Sequence, residues 1–258
     1  MRRFVLLCIL LLLIALNWER LVPYLPSSFS EPDRPVRDFE EAKKLLMEKV
    51  YYDHRETIYC GCPFDGRKRI DLAACGYVPR KDPRRASRLE WEHVVPAHAF
   101  GQSFVEWRDG HPDCVDREGR PFRGRECARR VSDEFRRMEA DMYNLYPAVG
   151  EVNGDRSNYS MAEIPGEKRE YGACDVEIED RKIEPREAGR GLIARTYLYM
   201  EETYPGHGVV SGKNRKLFEA WDALHPVNDW ECERMRRVEA VQKSENRLLK
   251  AVCAKAAQ

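Results

Sequence analysis

The apolar positions of this 258-residue chain change their spacing several times along its length. Phe4–Leu16 is an unbroken apolar run behind Arg2 and Arg3. It is shorter than the ~20 residues that a membrane-spanning helix needs, and it has the layout of an export signal. Residues 1–20 therefore read as a signal peptide or a signal anchor. Leu21–Arg37 carries Pro23, Pro26, Pro32 and Pro35, which suits an extended linker. Helical spacing begins at Asp38, with Glu41 in capping-box position and Phe39, Ala42, Leu45, Leu46 and Val50 on one face. Thr57–Cys60 and Arg69–Leu72 read as short strands around the turn-rich Pro63–Gly66, and Leu89–Val95 as a third strand ended by Pro96.

The pattern then predicts a helix over Val131–Pro147, capped by Ser132, with Phe135, Met138, Met142 and Leu145 as its apolar stripe. On that helix Asn144 points roughly 100–160° away from the stripe, into a groove or to solvent. Leu192–Met200, Leu217–Leu224 and Asp229–Val252, the last behind an Asn228 cap, are also helical by spacing. Asn153-Gly154-Asp155 reads as a turn. No internal repeat interrupts the pattern. These elements amount to one mainly helical α+β domain over residues 38–258.

Cysteine usage adds a constraint. Cys8 lies in the signal, which leaves an even set: Cys60, Cys62, Cys75, Cys114, Cys127, Cys174, Cys232 and Cys253. Behind an export signal such a set reads as a disulfide framework. Loop length favours Cys114–Cys127 and Cys232–Cys253, with the other four pairing among themselves. The rival is a zinc site on Cys60, Cys62 and Cys75.

Charge is less informative. Lysine plus arginine equal aspartate plus glutamate, and removing residues 1–20 takes away Arg2, Arg3, Arg20 and Glu19, leaving a net charge of −2. A polyanion would then have to be attracted by a local patch rather than by the whole protein. Arg108–Arg130 is the arginine-rich candidate, although acidic residues interleave within it.

The chemistry concentrates in Glu90-Trp91-Glu92-His93 and, ~50 residues on, Asp141-Met142-Tyr143-Asn144-Leu145. A carboxylate beside an imidazole, with a carboxamide oxygen downstream, can hold a hard divalent cation next to a general base. That combination suits hydrolysis of a phosphodiester. Leu89–Gly101, Ala140–Asn158 and Arg190–Met200 together resemble the bacterial endonuclease I family, and with Tyr59–Cys62 and Ala220–Cys232 the likeness extends from about Asp38 to Cys253. The resemblance implies a ββα-metal nuclease core and a periplasmic or secreted enzyme. It implies cleavage of DNA, and of RNA, with little sequence preference and 5′-phosphate ends. His93 matches the family's general base, Glu92 and Asn144 its metal ligands, and Arg125 the arginine that holds the phosphate, with Arg123 as competitor. Mg²⁺ is the expected cation, with Mn²⁺ or Ca²⁺ as alternatives, and a monomer is the expected state. Glu90 and Asp141 either orient the base or a water, or are caps and surface charges. Two rivals remain at this point: a nucleic-acid-binding protein without turnover, and a secreted metallohydrolase with another substrate. The second would need a denser ligand set such as His-Glu-x-x-His, which is absent.

Overall fold

The computed structural model describes residues 36–256 apart from Glu167. The expected signal and most of the proline-rich linker lie outside the described residues. Helix α1, Phe39–Leu45, starts where the sequence predicts. Asp38 accepts a hydrogen bond from the Glu41 N–H at 2.9 Å, while the Glu41 carboxylate turns back to the N–H of Arg37 at 2.9 Å. The helix runs on as a wider turn, Leu46–Val50, and buries Ala42, Leu46 and Val50.

Thr57–Cys60 forms no strand. Its backbone closes a turn instead, in which Gly61 N–H reaches the Thr57 carbonyl at 2.9 Å with Gly61 at φ 67°, a conformation that glycine adopts without strain. Arg69–Leu72 is likewise reduced to isolated bridges, Phe64 with Ile70 and Arg69 with Arg88. Disulfides hold this region: Cys60–Cys174 and Cys62–Cys75. With Cys114–Cys127 and Cys232–Cys253 they complete four bridges, which leaves no free thiolates for the zinc alternative.

A short helix α2, Pro83–Ala86, leads into strand β1, Leu89–His93. Helices α3, Ala97–Gly101, and α4, Val105–Arg108, follow it. The single helix expected over Val131–Pro147 does not form. The chain makes α5, Arg125–Val131, and α6, Asp133–Ala140, then a 3₁₀ turn, Met142–Asn144, and strand β2, Leu145–Val149. Ser132 caps α6 as expected, accepting from the Phe135 N–H at 3.1 Å. The helix stops because Asp141 leaves helical geometry and caps the next turn, accepting from the Tyr143 N–H at 2.9 Å. Every residue of β2 is buried, so its apolar run mimics the continuation of a helical stripe. Pro147 sits inside this strand opposite Trp91, where its carbonyl accepts from the Ile58 N–H at 2.8 Å.

β1 and β2 pair antiparallel, with Glu92 opposite Tyr146 and His93 opposite Leu145. β2 passes directly into α7, Gly150–Arg156, which absorbs the Asn153-Gly154-Asp155 segment expected to turn. A glycine inside a helix costs about 1 kcal/mol relative to alanine. At 154 a Cβ would lie 2.1 Å from Arg85 Nη1, so a side chain there would displace the end of that arginine. A small sheet in the order β3 (Ser160–Met161), β5 (Lys182–Glu184), β4 (Glu177–Glu179) follows. The C-terminal part is helical: α8, Glu187–Thr203; α9, Gly212–Leu224; α10, Asp229–Gln242; and α11, Arg247–Ala256. Asn228 caps α10 as predicted, but left-handed Lys243 breaks the expected Asp229–Val252 helix in two. Arg234 fixes α10 to the 3₁₀ turn and the start of β2 through the carbonyls of Met142 at 2.6 Å and Leu145 at 2.9 Å. Among the described residues, no helix is long and apolar enough to cross a membrane.

Candidate active site

The end of β1 brings Glu92 and His93 to one cavity of about 440 Å³, which Phe39, Trp107, Arg125, Asn153 and Arg156 also line. Adjacent residues on a regular strand face opposite ways. Here the strand ends at His93, and both residues reach the cavity.

His93 is held by its far nitrogen. Nε2 lies 2.8 Å from the backbone carbonyl oxygen of Glu139, and the ring packs on Phe39 with centroids 4.7 Å apart. A carbonyl only accepts, so Nε2 carries the proton and Nδ1 keeps a lone pair. Burial, reinforced by the positive charge of Arg125, pushes the His93 pKa down to about 4. At neutral pH the imidazole is therefore an uncharged base.

Glu92 is 3% exposed. Its Oε1 accepts from the Tyr59 hydroxyl at 2.6 Å and forms an ion pair with Arg156, whose Nη1 lies 2.8 Å away. Oε2 takes no hydrogen bond from any described residue and is the oxygen left for a ligand. Burial raises the Glu92 carboxyl, against the opposing effects of Arg156 and Tyr59. Arg156 also donates to the carbonyls of His93 at 2.9 Å and Val94 at 2.6 Å. One buried guanidinium thus fixes both the carboxylate and the backbone that carries the base.

Asn144 is not at the cavity. It is fully buried, accepts from the Val95 N–H at 2.7 Å and donates to the Val95 carbonyl at 2.9 Å. Both ends of its amide are spent on joining the 3₁₀ turn to the chain after β1, so the helical geometry that aimed it into a groove does not apply. The carboxamide that lines the cavity belongs to Asn153 on α7. Its Nδ2 donates to Glu90 Oε2 at 3.0 Å, and its Oδ1 has no partner among the described residues.

Arg125, at the start of α5, lines the same cavity, whereas Arg123 lines a different surface depression and donates to the Arg108 carbonyl at 3.1 Å. Arg125 Nε reaches Glu139 Oε1 at 2.5 Å, while Nη2 is buried without a hydrogen-bond partner. A buried guanidinium nitrogen without an acceptor is a place for an anion. Arg129 shares Glu139, at 2.8 and 2.7 Å, and the two arginines hold the Glu139 carboxyl below its usual range although burial acts to raise it. Much of the remaining arginine patch is used internally. Arg120 pairs with Asp116 and Glu118, and Arg130 bonds the carbonyls of Asp113 and Val115.

The two open acids part ways. Glu90 lies beside the site, where burial would raise its carboxyl but hydrogen bonds from Arg85 and Arg88 outweigh that and lower it. Asp141 is a buried cap that Tyr199, Tyr204 and Gln242 also bind, and it does not line the cavity. Arg156 and Glu139 carry no site signal in the sequence, and Asn153 reads there only as part of a turn. The spacing of Asn153 and Arg156, three residues apart, would have placed them on one helix face had Gly154 not argued for a turn.

The donor set fits a hard cation that keeps most of its waters. Glu92 and Asn153, each with one oxygen that takes no hydrogen bond from a described residue, line the cavity, and no three His, Cys, Asp or Glu side chains cluster as a metal site among the described residues. That is too sparse for a zinc cage and enough for Mg²⁺.

Comparison with known proteins bears on this arrangement. Residues 38–252 match the sequence profile of the family Endonuclease I. The chain is 44% identical over 219 residues to an extracellular deoxyribonuclease of Aeromonas hydrophila, covering 82% of this chain and 89% of the relative. It is 43% identical over 224 residues to a periplasmic deoxyribonuclease of the same species, covering 84% and 87%. It is 36% identical over 219 residues to Endonuclease-1 of Buchnera aphidicola subsp. Acyrthosiphon pisum (strain APS), covering 83% and 80%.

Proposed function

The chain belongs to the endonuclease I family, and on that premise we propose that it is an exported, Mg²⁺-dependent endonuclease that hydrolyses DNA, and RNA, with little sequence preference. The observation that carries the reading is the meeting of His93, Glu92, Asn153 and Arg125 around one cavity, with an imidazole nitrogen, two oxygens and a guanidinium nitrogen unspent. The names of the Aeromonas relatives, extracellular and periplasmic deoxyribonucleases, support both the substrate and the export. The signal-like N-terminus and four disulfides agree with an oxidising compartment.

In this reading His93 Nδ1 takes a proton from the attacking water, while the Glu139 carbonyl holds the ring in the tautomer that can accept it. Arg125 Nη2 binds a non-bridging phosphate oxygen and draws the scissile phosphate over the base. Glu92 Oε2 and Asn153 Oδ1, the latter in the place expected of Asn144, would hold the cation. A bound Mg²⁺ would supply charge neutralisation at phosphorus and stabilise the leaving 3′ oxygen. Departure of that oxygen leaves a 5′-phosphate. Contacts confined to phosphate and sugar explain poor sequence selectivity.

The test is digestion of an unlabelled duplex by the purified oxidised protein in Mg²⁺ and in EDTA, with the product ends assayed by phosphatase and kinase. Fragments that appear only with Mg²⁺ and need phosphatase before labelling at the 5′ end support the reading. Fragments with free 5′ hydroxyls, or equal cutting in EDTA, contradict it.

A further inference from the structure

A carboxamide presents an acceptor at one end and two donors at the other, so the use of Asn153 as a ligand depends on which end faces the cavity. We propose that Glu90 is the positioning residue that makes this choice: its carboxylate, clamped by Arg85 and Arg88, holds the Asn153 amide with Oδ1 turned toward a divalent cation. The inference rests on the proposed metal site and deepens it.

Three observations converge. Glu90 offers only acceptors, and its Oε2 receives Asn153 Nδ2 at 3.0 Å, which leaves Oδ1 as the free end. The carboxylate cannot swing away, because Arg85 donates to it at 3.0 and 2.8 Å and Arg88 at 3.2 and 2.9 Å. The backbone of α7 is shaped to admit the clamp. A Cβ at Gly154 would meet Arg85 Nη1 at 2.1 Å, and one at Gly150 would meet the Arg85 carbonyl at 2.5 Å. Glu90 therefore touches neither substrate nor cation, and it acts through the orientation of Asn153. The two arginines also offset the negative charge that Glu90 adds beside Glu92.

Replacing Glu90 with glutamine separates this role from packing. Arg85 and Arg88 would claim the single amide oxygen, so the glutamine would turn its NH₂ toward Asn153. The Asn153 amide would then flip and offer a donor to the cation. An aspartate at 153 has two equivalent oxygens and no orientation to lose, and the glutamine NH₂ would hold it.

The experiment is Mn²⁺ binding by electron paramagnetic resonance and calorimetry, in the full oxidised protein without DNA, alongside circular dichroism. Wild type, Asn153→Ala, Glu90→Gln and the double variant Glu90→Gln with Asn153→Asp are compared. The expected result is a loss of Mn²⁺ affinity of about 10–100-fold in Glu90→Gln and in Asn153→Ala, with the double variant within a few-fold of wild type. Wild-type affinity in a folded Glu90→Gln, or a double variant no better than Glu90→Gln, overturns the role of Glu90. Equal Mn²⁺ binding by wild type and Asn153→Ala overturns the underlying metal site, and the inference with it. Should Glu90→Gln fail to fold, Gly154→Ala, which crowds Arg85 while leaving both partners in place, is expected to weaken Mn²⁺ binding several-fold. Undiminished binding there overturns the clamp.

Discussion

His93 Nε2 is hydrogen-bonded to the backbone carbonyl oxygen of Glu139 at 2.8 Å, and this contact decides which face of the imidazole is basic. A main-chain acceptor cannot be removed by side-chain substitution, so the tautomer is built into the junction between α6 and the turn after it. Long-range ¹H–¹⁵N spectra of the metal-free protein at pH 7 should show His93 protonated at Nε2 and bare at Nδ1. The same tautomer should persist in Glu139→Gln. A proton on Nδ1 in the wild type would contradict the assignment.

Arg156 is expected to be the most costly single polar residue in the site to lose. Its replacement by methionine leaves the 3% exposed Glu92 without its cation and strips the carbonyls of His93 and Val94 of a donor. Breaking a buried pair in this way costs about 3–5 kcal/mol. Thermal unfolding should show a large drop in Tm for Arg156→Met, with partial recovery when Glu92→Gln is added. A drop no larger than that of an exposed substitution would show that the pair contributes little.

Glu151 makes acid sensitivity predictable. Its carboxylate accepts from the N–H groups of Lys81 at 2.5 Å, Asp82 at 2.6 Å and Arg80 at 3.1 Å, and from the Tyr77 hydroxyl at 2.8 Å. Burial acts to raise its pKa, but these bonds outweigh burial and lower it. The folded pKa lies below the unfolded one, so the carboxylate's contribution is present above an unfolded pKa of about 4.3 and is lost as pH falls through the folded value. Glu151→Gln should cost about 2 kcal/mol at pH 7 and lower Tm by roughly 4–8 °C. The gap between variant and wild type should close below about pH 4. A gap independent of pH would place the effect in packing instead.

The Cys60–Cys174 bridge closes a loop of sequence separation 114, against 13 for Cys114–Cys127. In the chain-entropy account the long loop is worth about 4.7 kcal/mol and the short one about 3. The double alanine variant at 60 and 174 should therefore be the less stable of the two. It should also lose Mn²⁺ affinity, because Tyr59, next to Cys60, holds Glu92 Oε1 at 2.6 Å. Equal affinity in both disulfide variants would detach Tyr59 from the site.

Much of this arrangement was legible in the sequence, and the errors have physical causes. The caps at Asp38, Ser132 and Asn228 were readable because capping depends on one side chain and a nearby N–H. Glu92, His93 and Arg125 stand in local motifs, and the fold brings them to one cavity. The helical geometry expected for Asn144 does not form because the fully buried strand β2 extends the apolar run of α6, and a spacing rule sees one helix where Asp141 ends it. Asn153 was passed over because Asn-Gly-Asp favours a turn in isolation. The end of the Arg85 side chain lies across α7 at Gly154, a tertiary contact that local turn signals do not show. Arg156 gives no local signal, since its partners lie more than sixty residues away at β1.

Asn153 and Asn144 are expected to differ in role, one at the cavity and one in the frame. Supercoiled plasmid in Mg²⁺ is to be incubated with wild type, His93→Ala, Asn153→Ala and Asn144→Ala at matched folded concentration. Nicking per folded molecule should fall by about 10²–10⁴-fold in His93→Ala and comparably in Asn153→Ala. Asn144→Ala should lose stability, by roughly 1–3 kcal/mol for its two buried hydrogen bonds, yet cut at close to the wild-type rate while folded. An active Asn153→Ala beside an inactive but folded Asn144→Ala would contradict the account at its centre.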